Sequence, residues 1–142
     1  MSTALGTQSA ETAIENAINA LIEGYRRKDA ELATSFYVKD GRYALFDIMP
    51  PIVDAGFERL LEKTKAFFEA TEGPVEIQIT NSHISAGTDM AYLRALMNAK
   101  ARFKDGRTLS TTTRYTLIFE KIDGKWLVVH EHNSLPADGL SF

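Results

Sequence analysis

The sequence predicts an α+β fold, with helices first and a long antiparallel meander last. Apolar residues recur at helical spacing in the first half, at Ile14, Ala17, Ile18, Leu21, Ile22 and Tyr25 and again from Phe57 to Phe68. From Val75 onward the period falls to two. Three turn signals divide this second half: Gly87-Thr88-Asp89, Lys104-Asp105-Gly106 and Asp123-Gly124. Asp-Gly pairs favour tight hairpins, so the half reads as four long strands joined in order. A long twisted sheet curls, and helices can fill its hollow side. The expected architecture is a cone-shaped curved antiparallel sheet of four long strands plus a short first strand, covered by three N-terminal helices.

Each element has a local reason. Residues 1–10 are polar and read as a flexible arm, and residues 11–142 as a single domain. Ser9 is placed to cap the first helix, with Glu11 in its first turn. Asp29 caps a second helix that would bury Leu32, Ala33, Phe36 and Tyr37 before ending at Lys39-Asp40-Gly41. "RYALFD" reads as the short strand. "IMPPIVDAG" is expected to be irregular, because Pro50 and Pro51 lack backbone donors. The third helix follows, with Phe57, Leu60, Leu61, Thr64, Phe67 and Phe68 on one side and Gly73-Pro74 as its stop.

Composition narrows the function classes. At 142 residues the chain suffices for one core without staples, and its net charge is −3. No basic stripe interleaved with aromatics is present, which argues against a nucleic-acid partner. With no cysteine, thiol catalysis and cysteine-held zinc are excluded. "MSTALGTQSAET" has neither a basic nor an apolar leader region, and no apolar run approaches membrane-spanning length. A cytoplasmic protein without a membrane partner is expected.

The closing stretch "DGKWLVVHEHNSLP" (residues 123–136) and "AYLRA" (residues 91–95) carry a resemblance. With the element order, they resemble the nuclear-transport-factor-2-like superfamily over residues 11–136. The closest branch is that of SnoaL-like proteins and the association domain of calcium/calmodulin-dependent kinase II. The resemblance implies a cone-shaped fold that hosts enzymes, binders and assembly modules. In its ketosteroid isomerases an Asp near the end of the first strand abstracts a proton. A tyrosine on the first helix and a protonated Asp hold the oxyanion. An ungapped placement puts Leu45 at the base position and Leu21 at the tyrosine position, with Asp47 two residues and Tyr25 one turn further on. Arg114 to Phe119 contains no carboxylate for the third role.

The candidate site residues follow. Strand alternation places His130 and His132 on one face with Trp126, Val128 and Ser134, and Glu131 on the other. The two imidazoles could hydrogen-bond neighbouring strands, serve a pocket as acid or base, or hold a metal; the last needs a third ligand, and His83 is the only other histidine. No metal and no cofactor is expected. Asp47 is a candidate base, or a carboxylate capping a turn. Tyr25 could bring a phenol into the pocket, or serve as a core aromatic. Arg94 lies mid-strand, and Tyr92, Arg94, Leu96 and Asn98 share its face. If that face lines the cone, Arg94 could grip an anionic ligand in a bidentate fork; otherwise it pairs with an acid across the sheet. Arg114 could join it, although a bulge would reverse its face. The candidate set is thus Asp47, Tyr25 and His130 for catalysis, and Tyr92, Arg94, Asn98, Arg114 and His132 for ligand binding.

The expected function is a small-molecule pocket protein for an organic acid or carbonyl compound. Any chemistry would be cofactor-free proton transfer, as in an isomerase or dehydratase. The alternative is a non-catalytic association module. Either way a homodimer through the outer sheet face is expected, since helices can cover only one side of four long strands.

Overall fold

The computed structural model describes residues 9–138. The arm expected over residues 1–10 falls outside them except for Ser9 and Ala10. The elements are α1 (Ala10–Arg27), α2 (Ala30–Ala33), β1 (Ala44–Phe46), β2 (Asp54–Ala55), α3 (Phe57–Ala70), β3 (Thr71–Ala86), β4 (Met90–Phe103), β5 (Thr108–Ile122) and β6 (Lys125–Ser134). They form the expected α+β fold, with one six-stranded sheet in the order β2-β1-β6-β5-β4-β3.

Helix α1 starts where Ser9 Oγ accepts from the Thr12 amide at 3.1 Å. It buries Ala13, Ile14, Ala17 and Leu21 against the sheet and stops at Lys28, which adopts a left-handed conformation at φ 56°. Gly24 lets it approach α2 closely: a Cβ there would lie 2.4 Å from the Ala33 backbone nitrogen.

Helix α2 is shorter than expected, ending at Ala33. The reason is competition for the backbone. Val128 donates to Phe36 O and accepts from the Val38 amide, so residues 36–38 run along β6. Tyr37 and Val38 are still buried, delivered by a strand-like segment in place of a helix.

Three further points correct the sequence reading. Asp54–Ala55, within the stretch expected to be irregular, form β2 on the edge of β1. Gly73-Pro74 does not stop α3, which ends at Ala70; it sits within β3 at a register shift between Glu72 and Glu76. The sheet is mixed, because β1 pairs parallel with β6. The four long strands form the antiparallel meander as read. The β5–β6 turn has Asp123 at φ 51° and Gly124 at φ 79°, the paired positive values that a two-residue hairpin needs.

The core lies between the helices and the inner face of the sheet. Leu93, Ala95, Tyr115, Leu117, Phe119, Trp126 and Val128 meet Ile14, Ala17, Leu21, Phe57 and Leu60 there. Among the described residues the opposite, outer face has no helix on it, and Tyr92 and Phe46 are exposed. No helix among the described residues is long and apolar enough to cross a membrane.

Candidate functional site

The site is set by a break in the alternation of β6. Phe119 pairs with Val128, but Ile118 pairs with His130, leaving Val129 as an extra residue. Trp126 and Val128 face inward before this bulge. After it the parity reverses, and Glu131 and Asn133 take the inner face. Glu131 pairs with Leu117 on one side and Leu45 on the other. The expectation that His130 and His132 share the face of Trp126 and Val128 is therefore corrected. A one-residue insertion moves every later side chain to the opposite side.

Glu131 is buried among phenols. Its Oε1 accepts from the Tyr37 hydroxyl at 2.5 Å and the Tyr43 hydroxyl at 3.3 Å, while Oε2 accepts from Asn133 Nδ2 at 3.1 Å. Burial pushes its carboxyl above the usual range; the bonds from Tyr37 and Asn133 offset this in part, and the nearby Asp47 charge adds to it. The Tyr37 and Tyr43 rings meet edge to face at 5.2 Å. Tyr115 pairs across the sheet with Asn133 and is 1% exposed. Its phenol is also raised, by burial first and Glu131 second. The Tyr115 hydroxyl, close to that of Tyr37, and Asn133 Oδ1 are both buried, and neither makes a hydrogen bond of good geometry among the described residues. Such atoms are uncommon in a folded protein and call for an explanation.

Tyr25 and Asp47 reach this group. Tyr25 packs edge-on against Phe68 at 5.0 Å, and its phenol is pushed up by burial, then by the charges of Glu131 and Asp47. Asp47 follows β1 two residues beyond the inward Leu45 and is half-buried. Its Oδ1 accepts from the Ile48 amide at 2.8 Å, and Oδ2 lies 3.7 Å from Lys63 Nζ. Lys63 also binds Asp54 at 2.5 Å, and Arg59 binds Asp54 at 2.9 Å. The hydrogen bond from Lys63 is the main reason the buried Asp54 carboxyl is held below its usual range, against its desolvation. Asp47 thus both caps a turn and faces the polar cluster.

The remaining sequence candidates lie on the outer face. One cross-strand row runs His83, Arg94, Thr116, His132 and Phe46; the next runs Ser85, Tyr92, Ile118, His130 and Ala44. Arg94 is exposed and makes no ion pair among the described residues, so neither role foreseen for it is built within this chain. Asn98 bonds Gln78 at 3.4 Å and Thr112 at 2.5 Å, and Arg114 Nε bonds Ser134 Oγ at 3.1 Å. His130 Nδ1 lies 2.7 Å from Ala44 O and donates to it, with the Phe46 ring 4.7 Å away. Among the described residues no group of three His, Cys, Asp or Glu could hold a metal.

Of the sequence candidates, Asp47 and Tyr25 lie by this cluster; Glu131, Tyr37, Tyr43, Tyr115 and Asn133 were not among them. The available signal was an acid within the apolar run of a predicted core strand, where an unpaired charge is costly. Two open grooves lie elsewhere. One of about 300 Å³ runs beside Ile22, Arg26, Val75 and Ile77, and one of about 430 Å³ beside Lys39, Phe57 and Glu62.

Comparison with known proteins agrees with this architecture. No curated protein matches the chain at a significant level. Among solved structures, a nuclear-transport-factor-2-like protein of unknown function from Pseudomonas putida has a TM-score of 0.77 at 22% identity, covering 92% of this chain and 89% of that one. A candidate calcium/calmodulin-dependent protein kinase II association domain from Xanthomonas campestris has a TM-score of 0.71 at 19% identity, covering 92% and 91%. A candidate dehydratase of the nuclear-transport-factor-2-like family from Streptomyces avermitilis has a TM-score of 0.73 at 18% identity, covering 88% and 94%. At these identities the likeness concerns the fold. The family model described as SnoaL-like domain matches residues 14–138, from the first helix to just beyond the last strand. With the helix-covered sheet and its inward carboxyl group in place, the chain belongs to the SnoaL-like domain family.

Proposed function

We propose that the cone binds a small organic molecule, a carbonyl compound or an organic acid, and moves a proton on it without a cofactor, as an isomerase or a dehydratase does. The observation that carries this reading is the buried Glu131 carboxyl on the inner face of the sheet, bonded to Tyr37, Tyr43 and Asn133. Two acids in contrasting surroundings supply a division of labour. Asp47, next to the Lys63 ammonium, accepts the proton from the carbon beside the carbonyl. The electron pair released by that C–H bond moves to the carbonyl oxygen, where Tyr115 donates to the developing charge. Glu131, its carboxyl pushed above the usual range by burial, keeps the phenols around it oriented. In isomerisation the proton returns to another carbon; in dehydration a β-hydroxyl leaves and takes up a proton from Glu131 as water.

The test follows exchange of the α-hydrogens of acetophenone, a minimal ketone probe, in deuterium oxide by NMR. Exchange should require the protein, and Asp47→Asn should slow it by about 100-fold or more. Exchange that is indifferent to both Asp47→Asn and Glu131→Gln rules the mechanism out.

A second reading, a non-catalytic association module, is supported by the uncovered outer face. Exposed Tyr92 and Phe46 lie there beside the half-buried Ile118 and Leu127. We propose that a second copy packs on this face to form a homodimer, which is compatible with either reading of the cone.

A further inference from the structure

The outer face of the sheet sorts its charges by row. The His83–Arg94–His132 row, the Tyr92–His130 row and a third in which Arg114 pairs with Leu96 and Ser134 lie side by side at its centre. They hold all three histidines of the chain and two arginines. Among the described residues no acid lies in these rows, and neither Arg94 nor Arg114 makes an ion pair. Strand β1 adds only Ala44 and Phe46 to them.

The acids of this face stand towards the strand ends, each with a cation near it. Glu72 is opposite Arg102 and Glu76 opposite Lys100 at one end. Glu120 is at the other, with Lys125 one outer row beyond it, and Asp89 and Asp123 lie in the adjoining turns. Asp138 follows the end of β6. The charge of the centre is therefore set by imidazoles, with no carboxylate beside them to compensate a proton.

Those imidazoles are placed to take up protons at close quarters. His83 and His132 are exposed, with Arg94 in the row between them. The half-buried His130 donates Nδ1 to Ala44 O, which leaves Nε2 as its site for a proton. The rings of His130 and His132 are 6.3 Å apart and both stand edge-on to Phe46. Imidazole as a class changes charge between about pH 5 and 8. A two-fold interface presents the same patch from both copies, so each proton gained is gained twice. Like charges brought together in a desolvated interface are strongly unfavourable.

We infer that the outer-face homodimer is proton-sensitive: it assembles when the imidazoles of His83, His130 and His132 are neutral and separates as acid charges them beside Arg94 and Arg114. This rests on the homodimer proposed for the same face and adds what regulates it.

The test is sedimentation equilibrium on the full chain in low salt at about pH 8 and about pH 5.5, with far-ultraviolet circular dichroism following the fold. The dissociation constant should be at least about tenfold higher at the lower pH. Sodium chloride added at the lower pH should restore the dimer, because salt screens repulsion between like charges. A chain carrying His83→Gln, His130→Gln and His132→Gln together should dimerise equally at both pH values. Equal dissociation constants for the unaltered chain would overturn the inference, as would a pH response that survives the triple substitution. So would salt that loosens the dimer at the lower pH, or dissociation that accompanies loss of the circular-dichroism signal. The pH and salt comparisons are made on the unaltered chain, so they decide even where the triple variant is unstable. A monomer at both pH values sinks the homodimer and this inference together; a dimer of the same strength at both sinks this inference alone.

Discussion

Tyr37 and Glu131, 94 positions apart, are joined by a hydrogen bond inside the cone. The tyrosine comes from the segment that leaves α2, and the acid from the strand beyond the Val129 bulge. The contact therefore fixes the last inward turn of β6 against the helical layer. Both partners are buried, so its loss affects folding and chemistry together.

The buried carboxyl should give stability a signature in pH. Its folded value lies above the usual 4.5. Between 4.5 and the raised value the folded chain keeps a proton that the unfolded chain has lost, so stability falls as pH rises through that window. Glu131→Gln keeps acceptors for Tyr37 and Tyr43 and should flatten this slope in urea titrations run at several pH values. Glu131→Ala leaves those donors stranded and should cost about 2–4 kcal/mol. A slope that persists in Glu131→Gln would assign it to another group.

Asp54 should behave in the opposite sense. Lys63, with help from Arg59, holds its folded value below the usual 3.8, so its contribution is present above about that pH and is lost as pH falls through the depressed value. Because both cations are partly exposed, Asp54→Asn should cost a moderate 1–3 kcal/mol, roughly. It should also shorten the acid limb of the stability profile, as read by denaturant midpoints below pH 5.

The contact between α1 and α2 leaves no room for a methyl group. Gly24→Ala would set a Cβ 2.4 Å from the Ala33 nitrogen, and neither backbone can yield cheaply. A loss of about 1–3 kcal/mol in unfolding free energy is expected, despite the better helix propensity of alanine. An unchanged or raised melting temperature would show that the helices are further apart.

Arg94→Met should leave the stability of the single chain within about 0.5 kcal/mol, since the guanidinium is exposed and has no ion pair among the described residues. Thr116→Arg, in the centre of the same outer row, should break the proposed dimer while leaving the fold intact. Light scattering showing a monomer for the unaltered chain, or an unchanged particle for Thr116→Arg, would contradict an interface at this face.

Local pattern determined the sequence of elements. Helical spacing, the Ser9 cap and the positive-φ turn at Asp123-Gly124 act between near neighbours, so helices and meander could be read without the tertiary fold. The length of α2 could not, because its end depends on the bonds that Val128 makes with Phe36 and Val38 nearly a hundred positions before it. Nor could the side on which a strand residue falls after a bulge. Alternation puts His130 and His132 on the face of Trp126 and Val128 and Glu131 on the other, but pairing with β5 inserts Val129 and exchanges them. A bulge arises from the register between strands, which no stretch of β6 encodes by itself. Asp47 and Tyr25 were legible as candidates because their own elements carry them inward. The carboxyl they face was placed by strand pairing and long-range burial, which only the tertiary structure decides.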